Sequence, residues 1–288
     1  MRIRPGGLCR APPAACCVPV AGTACFGQNN WIEWSVGDLP VVISVPHGGG
    51  VEPPGVPTRT SDTTVTDLNT IDLARAIADA FRARSGRTPH LIICHLRRTK
   101  LDASRDVGEA AEGQPAMIAA WAEYHGFIED AMSEALRGSG RGLYLDLHGH
   151  GHAIQRLELG YLLSAAELNQ TDAELDAGPL AQASSLRLAL AWSPDTFSEM
   201  LRGAFSLGGL LSPAYASVPS PSAPSPGSDP YFTGGYSVER HAARLPGLQT
   251  EANFAGVRDS AANRTAFAQA LAAAVQGFAG RHALPFQP

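Results

Sequence analysis

The stretch YLDLHGHGH, residues 144 to 152, holds three of the nine histidines in the chain, at alternate positions behind an apolar run that contains Asp146. Two other polar clusters stand in comparable settings: His47 after VVISVP and Glu251 after LPGLQT. Each follows an apolar run and precedes glycine or other small residues. Histidine and carboxylate side chains brought together from separate strand ends can hold one ion, and an open position for water defines a catalytic zinc site. Strand alternation puts Asp146 on the same face as His148, His150 and His152 while the strand persists. Gly149 and Gly151 mark where the backbone leaves strand geometry, so one histidine is expected as a ligand. His148, nearest the strand, is the best placed, with Asp146 orienting a neighbouring group. His150 and His152 are read either as substrate contacts or as polar loop residues.

These clusters need a scaffold that gathers strand ends. PVVISVPHGGG reads as a buried strand running into a tight loop, followed by a Pro- and Thr-rich loop over 51–66. TDLNTIDLARAIADAFRAR has helical spacing at Leu68, Ile71, Ala74, Ile77, Ala78 and Phe81, with Thr66 or Asp67 as its N-cap. PHLIICHL is a second buried strand, residues 115–137 a long helix, and GLYLDLHGHG a third strand with a glycine-rich exit. LELGYLLS is expected as a strand, 179–191 and 195–205 as helices, LPGLQTEANF as a strand and 259–279 as a closing helix. Strands alternating with helices imply a parallel or mixed sheet covered on both faces, and ligands bind at the carboxyl ends of strands in such sheets. The dense Ser and Pro of 212–230 read as an exposed loop within one domain spanning 31–288.

The 288 residues are 44% hydrophobic and 17% charged, which suits a globular protein with a substantial core. A net charge of −5 and no basic stripe argue against a nucleic-acid partner. No apolar run reaches the roughly 18–20 residues needed to span a bilayer, so a soluble protein is expected. Cys9, Cys16, Cys17 and Cys25 crowd the first 25 residues, and only Cys94 lies beyond them. Residues 1–30 read as a low-order tail. A second reading of that tail is an export signal with a lipid-attachment cysteine at Cys25. A cytoplasmic location is the leading expectation.

Six motifs occur in an order that resembles the N-formylglutamate amidohydrolase family: SVPHGG (44–49), TDLNTIDLA (66–74), RRTKLDASRD (97–106), YLDLHGH (144–150), FTGGYSVERH (232–241) and LQTEAN (248–253). The resemblance runs from about residue 40 to 280. It implies a phosphorylase/hydrolase-like three-layer α/β/α fold with a central mixed, mostly parallel sheet, related to zinc carboxypeptidases. It also implies metal-dependent hydrolysis of an amide beside a carboxylate-bearing group. Carried onto this chain, it makes His47 and His148 the histidine ligands and Asp67 the third. Glu52 is an alternative third ligand, matching the spacing of a related group that cleaves γ-glutamyl polymers. Glu251 becomes the general base. Arg105 becomes the clamp on the substrate carboxylate, Asp102 its orienting partner, and Arg240 a second clamp. The family's asparagine before that arginine is Ser104 here, which points to altered specificity.

The expected activity is therefore zinc-dependent hydrolysis of a small acyl amino acid, N-formyl-L-glutamate first, giving formate and glutamate. The rivals are a γ-glutamyl or peptide-bond hydrolase on the same scaffold, and a metal-binding module without turnover.

Overall fold

Strands that are near-continuously apolar must be covered on both faces, and this chain has such runs, VVISV and LIIC, at its centre. In the computed structural model, which describes residues 19–61, 63–138 and 140–285, eight strands form one sheet. They are β1 (Ala24–Phe26), β2 (Ile32–Ser35), β3 (Val41–Val45), β4 (His90–Cys94), β5 (Leu143–Gly149), β6 (Leu157–Gly160), β7 (Ser217–Val218) and β8 (Gly247–Ala252). Their order is β1-β2-β4-β3-β5-β8-β6-β7. The central run β4-β3-β5-β8 is parallel throughout, while β1, β2 and β6 join by antiparallel pairing.

Alternation along the strands sorts the core into two layers. Val41, Ile43, Val45, Leu143, Leu145, Leu147 and Leu248 pack with the helices Thr70–Ser85 and Ala261–Arg281. Val42, Ile92 and Tyr144 face the other way, onto Met117, Tyr124, Ile128 and Met132 of the helix Pro115–Leu136. The result is a three-layer α/β/α arrangement with a mixed, mostly parallel sheet. On β5 it is Tyr144, Asp146 and His148 that share the face toward Pro115–Leu136. Among the described residues no helix is long and apolar enough to cross a membrane.

Several local expectations change. The first long helix starts at Thr70, behind Asn69 at φ 65°, and Asp67 is not its N-cap. The Asp67 amide donates to the His47 carbonyl at 3.0 Å, which turns its side chain toward the strand ends instead. The single helix expected over 179–191 is two one-turn helices, Leu180–Ala183 and Arg187–Leu190. Between them the Ser184 hydroxyl donates to the Tyr161 carbonyl and accepts from the Leu186 amide, competing with helical pairing. The stretch 212–230 is not wholly exposed. Ser217–Val218 pairs with β6 as an edge strand, and Ser217, Val218 and Ser220 are buried. Proline is tolerated there because an edge strand leaves one row of backbone groups unpaired. Of the 1–30 tail, residues 1–18 lie outside the described residues, but β1 belongs to the sheet. Cys25 on it is buried and disulfide-bonded.

One buried group makes stability depend on pH. His90 opens β4, and its Nδ1 accepts from Trp34 Nε1 at 3.3 Å and from the Gly37 amide at 3.2 Å. Burial pushes its pKa down to about 4, against a partial upward pull from Asp38. The folded ring stays neutral while the unfolded chain takes up a proton below about 6.5. Stability from this group is therefore full above pH 6.5 and drains as pH falls toward 4, by about 3 kcal/mol in all. Urea midpoints measured across that window should fall less steeply for His90→Asn than for the parent, and parallel slopes would remove His90 from the account.

Candidate metal centre

Parallel pairing brings the carboxyl ends of β3, β5 and β8 side by side. His47 lies two residues past β3. On β5, alternation presents Asp146 and His148 on one face, and on β8 it presents Gln249 and Glu251 on that same face, with His148 directly opposite Glu251. The loop after β4 adds Asp102, and the turn before helix Thr70–Ser85 adds Asp67. All seven except Asp67, at 7%, are no more than 4% exposed.

The two imidazoles are held alike. His47 Nε2 meets Asp102 Oδ1 at 2.6 Å, and His148 Nε2 meets Asp146 Oδ2 at 2.8 Å. An ionised carboxylate only accepts, so each Nε2 carries a proton, and in a neutral ring Nδ1 then offers its lone pair. Both Nδ1 atoms point at one carboxylate oxygen, Asp67 Oδ2, at 3.5 Å each. The rings stand edge to face with centroids 4.8 Å apart. Asp67 Oδ2 also accepts from the Gly149 amide at 3.1 Å, and Glu251 Oε1 lies 3.9 Å from His148 Nδ1.

Burial and neighbouring charges shift these groups in opposite directions. Burial alone would raise the Asp67 carboxyl, but the facing His148 and His47 rings outweigh it and hold it well below the usual carboxylate range. Asp102 is likewise depressed, with the charges of His47 and Arg98 overcoming burial. Burial drives His148 down, yet Asp146, Asp67 and Glu251 together lift it well above its ordinary value. Glu251, with fewer compensating neighbours, is pushed by burial up to about 7. Four carboxylates thus surround two imidazoles.

A metal fits this donor set. The ligand atoms of His47, Asp67 and His148 lie within 4.8 Å of one another, and His47 Nδ1 is buried without a hydrogen-bond partner. A carboxylate on the remote nitrogen is the arrangement that fixes tautomer and orientation in metal-binding histidines. The other group of comparable composition, His150, His152 and Glu158, is closed by its own hydrogen bonds. There His150 Nδ1 accepts from the His152 amide at 3.1 Å, and His152 Nδ1 meets Glu158 Oε1 at 2.9 Å.

No protein-family model matches the chain, and no curated protein matches it. Among solved structures it is similar to a crystal structure of N-formylglutamate amidohydrolase from Ralstonia eutropha. That likeness is at 13% identity and a TM-score of 0.49, covering 91% of this chain and 97% of that one. It is similar also to a gene product of Agrobacterium tumefaciens, at 13% identity and a TM-score of 0.49, covering 87% and 96%.

The remaining site expectations divide. Glu52 lies apart from the cluster, on the surface, with Oε1 2.5 Å from Arg97 Nη1 and Oε2 3.9 Å from Lys100 Nζ. His150 donates through Nε2 to the Arg156 carbonyl at 2.8 Å, so both its nitrogens are engaged by the backbone. Arg240 faces Glu129 at 3.3 Å and lies over the Trp121 ring. Arg105 comes within 4.0 Å of Asp102 with its side chain 35% exposed. Asp102, expected to orient Arg105, makes its short contacts with His47 and with Arg98 Nε at 2.9 Å. Sequence reasoning passed over Arg98, Gln249 and Arg258. Gln249 Nε2 donates to Glu251 Oε1 at 2.6 Å. Two-residue spacing on a strand could have revealed Gln249 as a companion of Glu251.

Proposed function

We propose that the chain is a metal-dependent amidohydrolase, with zinc held by His47, Asp67 and His148, that cleaves an N-acyl amino acid, N-formyl-L-glutamate foremost. The observation that carries it is the pair of buried Nδ1 atoms, that of His47 without a hydrogen bond, aimed at one Asp67 oxygen while carboxylates secure both remote nitrogens. The donor set suits zinc and also admits iron, cobalt or manganese. A bound divalent ion supplies Lewis acidity and lowers the pKa of water toward about 7.

The chain's own groups account for the rest. Glu251 takes a proton from the water whose oxygen attacks the formyl carbon. It returns a proton to the amine nitrogen as the carbon–nitrogen bond breaks. A carboxyl that burial lifts to about 7 is matched to proton transfer near neutrality. Gln249 fixes which way that carboxyl faces. Asp102 and Asp146 keep both imidazoles in the tautomer that presents Nδ1. Arg105, partly exposed beside Asp102, offers a two-pronged contact to the substrate carboxylate. Arg240 could join it only by leaving Glu129 and Trp121, so Arg105 is assigned the clamp.

The test is formate release from N-formyl-L-glutamate by purified protein, before chelation, after it, and after zinc is returned. Loss and recovery of release is the expected result. Protein carrying stoichiometric zinc that releases no formate would refute the substrate, and cleavage of a γ-glutamyl amide by the same sample would redirect it.

A further inference from the structure

We infer that Arg258 is a positioning residue that fastens to one another three of the segments bearing metal-site side chains, those of Asp67, His148 and Glu251. The inference rests on the metal-centre reading above. Arg258 is 3% exposed and ends the turn Phe254–Arg258 that follows β8. Its guanidinium donates to three backbone carbonyls: Nε to Ala252 at 2.9 Å, Nη1 to Leu68 at 2.5 Å and Nη2 to His150 at 3.0 Å. Those carbonyls stand one residue after Glu251, one after Asp67 and two after His148. One side chain thus ties down the chain just beyond the base and beyond two of the three ligands.

The Leu68 and His150 carbonyls lie outside the strand ladder, where Arg258 supplies them with donors, while the Ala252 carbonyl accepts from the His150 amide as well. A guanidinium brings five N–H groups in a fixed plane and can serve three directions at once, whereas an ammonium is a point donor on a flexible stem. The seat of Arg258 is itself built. Its own carbonyl accepts from Asn69 Nδ2 and from Arg264 Nη1, each at 2.9 Å, and its guanidinium lies over the Phe254 ring. Gly149, between His148 and His150, leaves the room it needs. A Cβ there would lie 2.3 Å from Arg258 Cζ. Gly149 is absent from the positive-φ glycines, so the guanidinium, rather than the backbone, accounts for glycine at this point.

The test compares the parent with Arg258→Met, Arg258→Lys, Gly149→Ala and the double variant Gly149→Ala/Arg258→Met. Zinc affinity is read by competition with a chromophoric chelator, and amide exchange by mass spectrometry. Arg258→Met should weaken zinc by about 10–100-fold, as loss of an outer support typically does. Its amides at 67–70, 148–152 and 251–255 should exchange faster together, while those of Pro115–Leu136 hold. Arg258→Lys should recover little. Gly149→Ala should weaken zinc in the parent and add nothing in the Arg258→Met background. Unchanged affinity with unchanged exchange at the three segments overturns the inference, and so does faster exchange spread evenly over the sheet. A parent protein that binds no zinc would sink the metal-centre reading alone, and the exchange pattern would then decide the role of Arg258.

Discussion

Replacing Glu251 with glutamine should leave zinc content at the parent level and lower formate release from N-formyl-L-glutamate by roughly 10²–10⁴-fold, the usual reach of general acid–base catalysis. The substitution is nearly isosteric, and Gln249 and His148 remain to hold the new amide in place. What changes is the ability to accept a proton. Zinc should survive because the three atoms that converge on one point belong to His47, Asp67 and His148, while Glu251 Oε1 stands 3.9 Å from His148 Nδ1. The fall should appear in kcat more than in KM, since the neutral side chain still fits the ground state and fails only where a proton moves. Zinc analysis and steady-state rates on the same preparation check this. Full activity would remove Glu251 from the chemistry, and lost zinc would make it a ligand.

How far the sequence reached follows from what each feature depends on. Strands such as VVISV and LIIC announce themselves because burial on both faces requires near-continuous apolar runs. The placing of His47, His148 and Glu251 at strand ends then follows from the fold class. The third ligand could not be settled this way. Asp67 and Glu52 are both acidic residues in loops, and only tertiary contact separates a carboxylate facing two imidazoles from one paired with Arg97 on the surface. The partner of His47 was hidden for a similar reason. Asp102 lies 55 residues away, and its neighbour Arg105 offered a nearer and less important contact. For His150 the alternating histidines left two readings open, a substrate contact or a polar loop residue. The strand ends at Gly149, and from there the backbone carries His150 to the Arg156 carbonyl. Arg258 left no local signal, because its partners are main-chain carbonyls that every residue has.

Asp67→Ala should no longer retain zinc through dialysis and should release no formate, while Glu52→Ala should match the parent in both. The expectation follows from where the charges are. Asp67 Oδ2 is the one oxygen that stands 3.5 Å from both free imidazole nitrogens, and its removal strips one of three donors from the point where they meet. Loss of an outer support such as the Asp102 carboxylate typically weakens a metal by about 10–100-fold, so loss of a direct donor should exceed that. Asp67 also accepts the Gly149 amide at 3.1 Å. Truncation therefore loosens the exit of β5 as well, which adds to the loss rather than opposing it. Glu52 contributes only an ion pair with Arg97 whose partners are about half exposed, and such pairs are worth roughly 0–1 kcal/mol. Thermal melts with and without zinc separate the two effects. Asp67→Ala should melt at the same temperature in either condition, whereas the parent and Glu52→Ala should gain stability with zinc by mass action. A zinc-dependent rise in melting temperature for Asp67→Ala, with none for Glu52→Ala, would reverse the assignment.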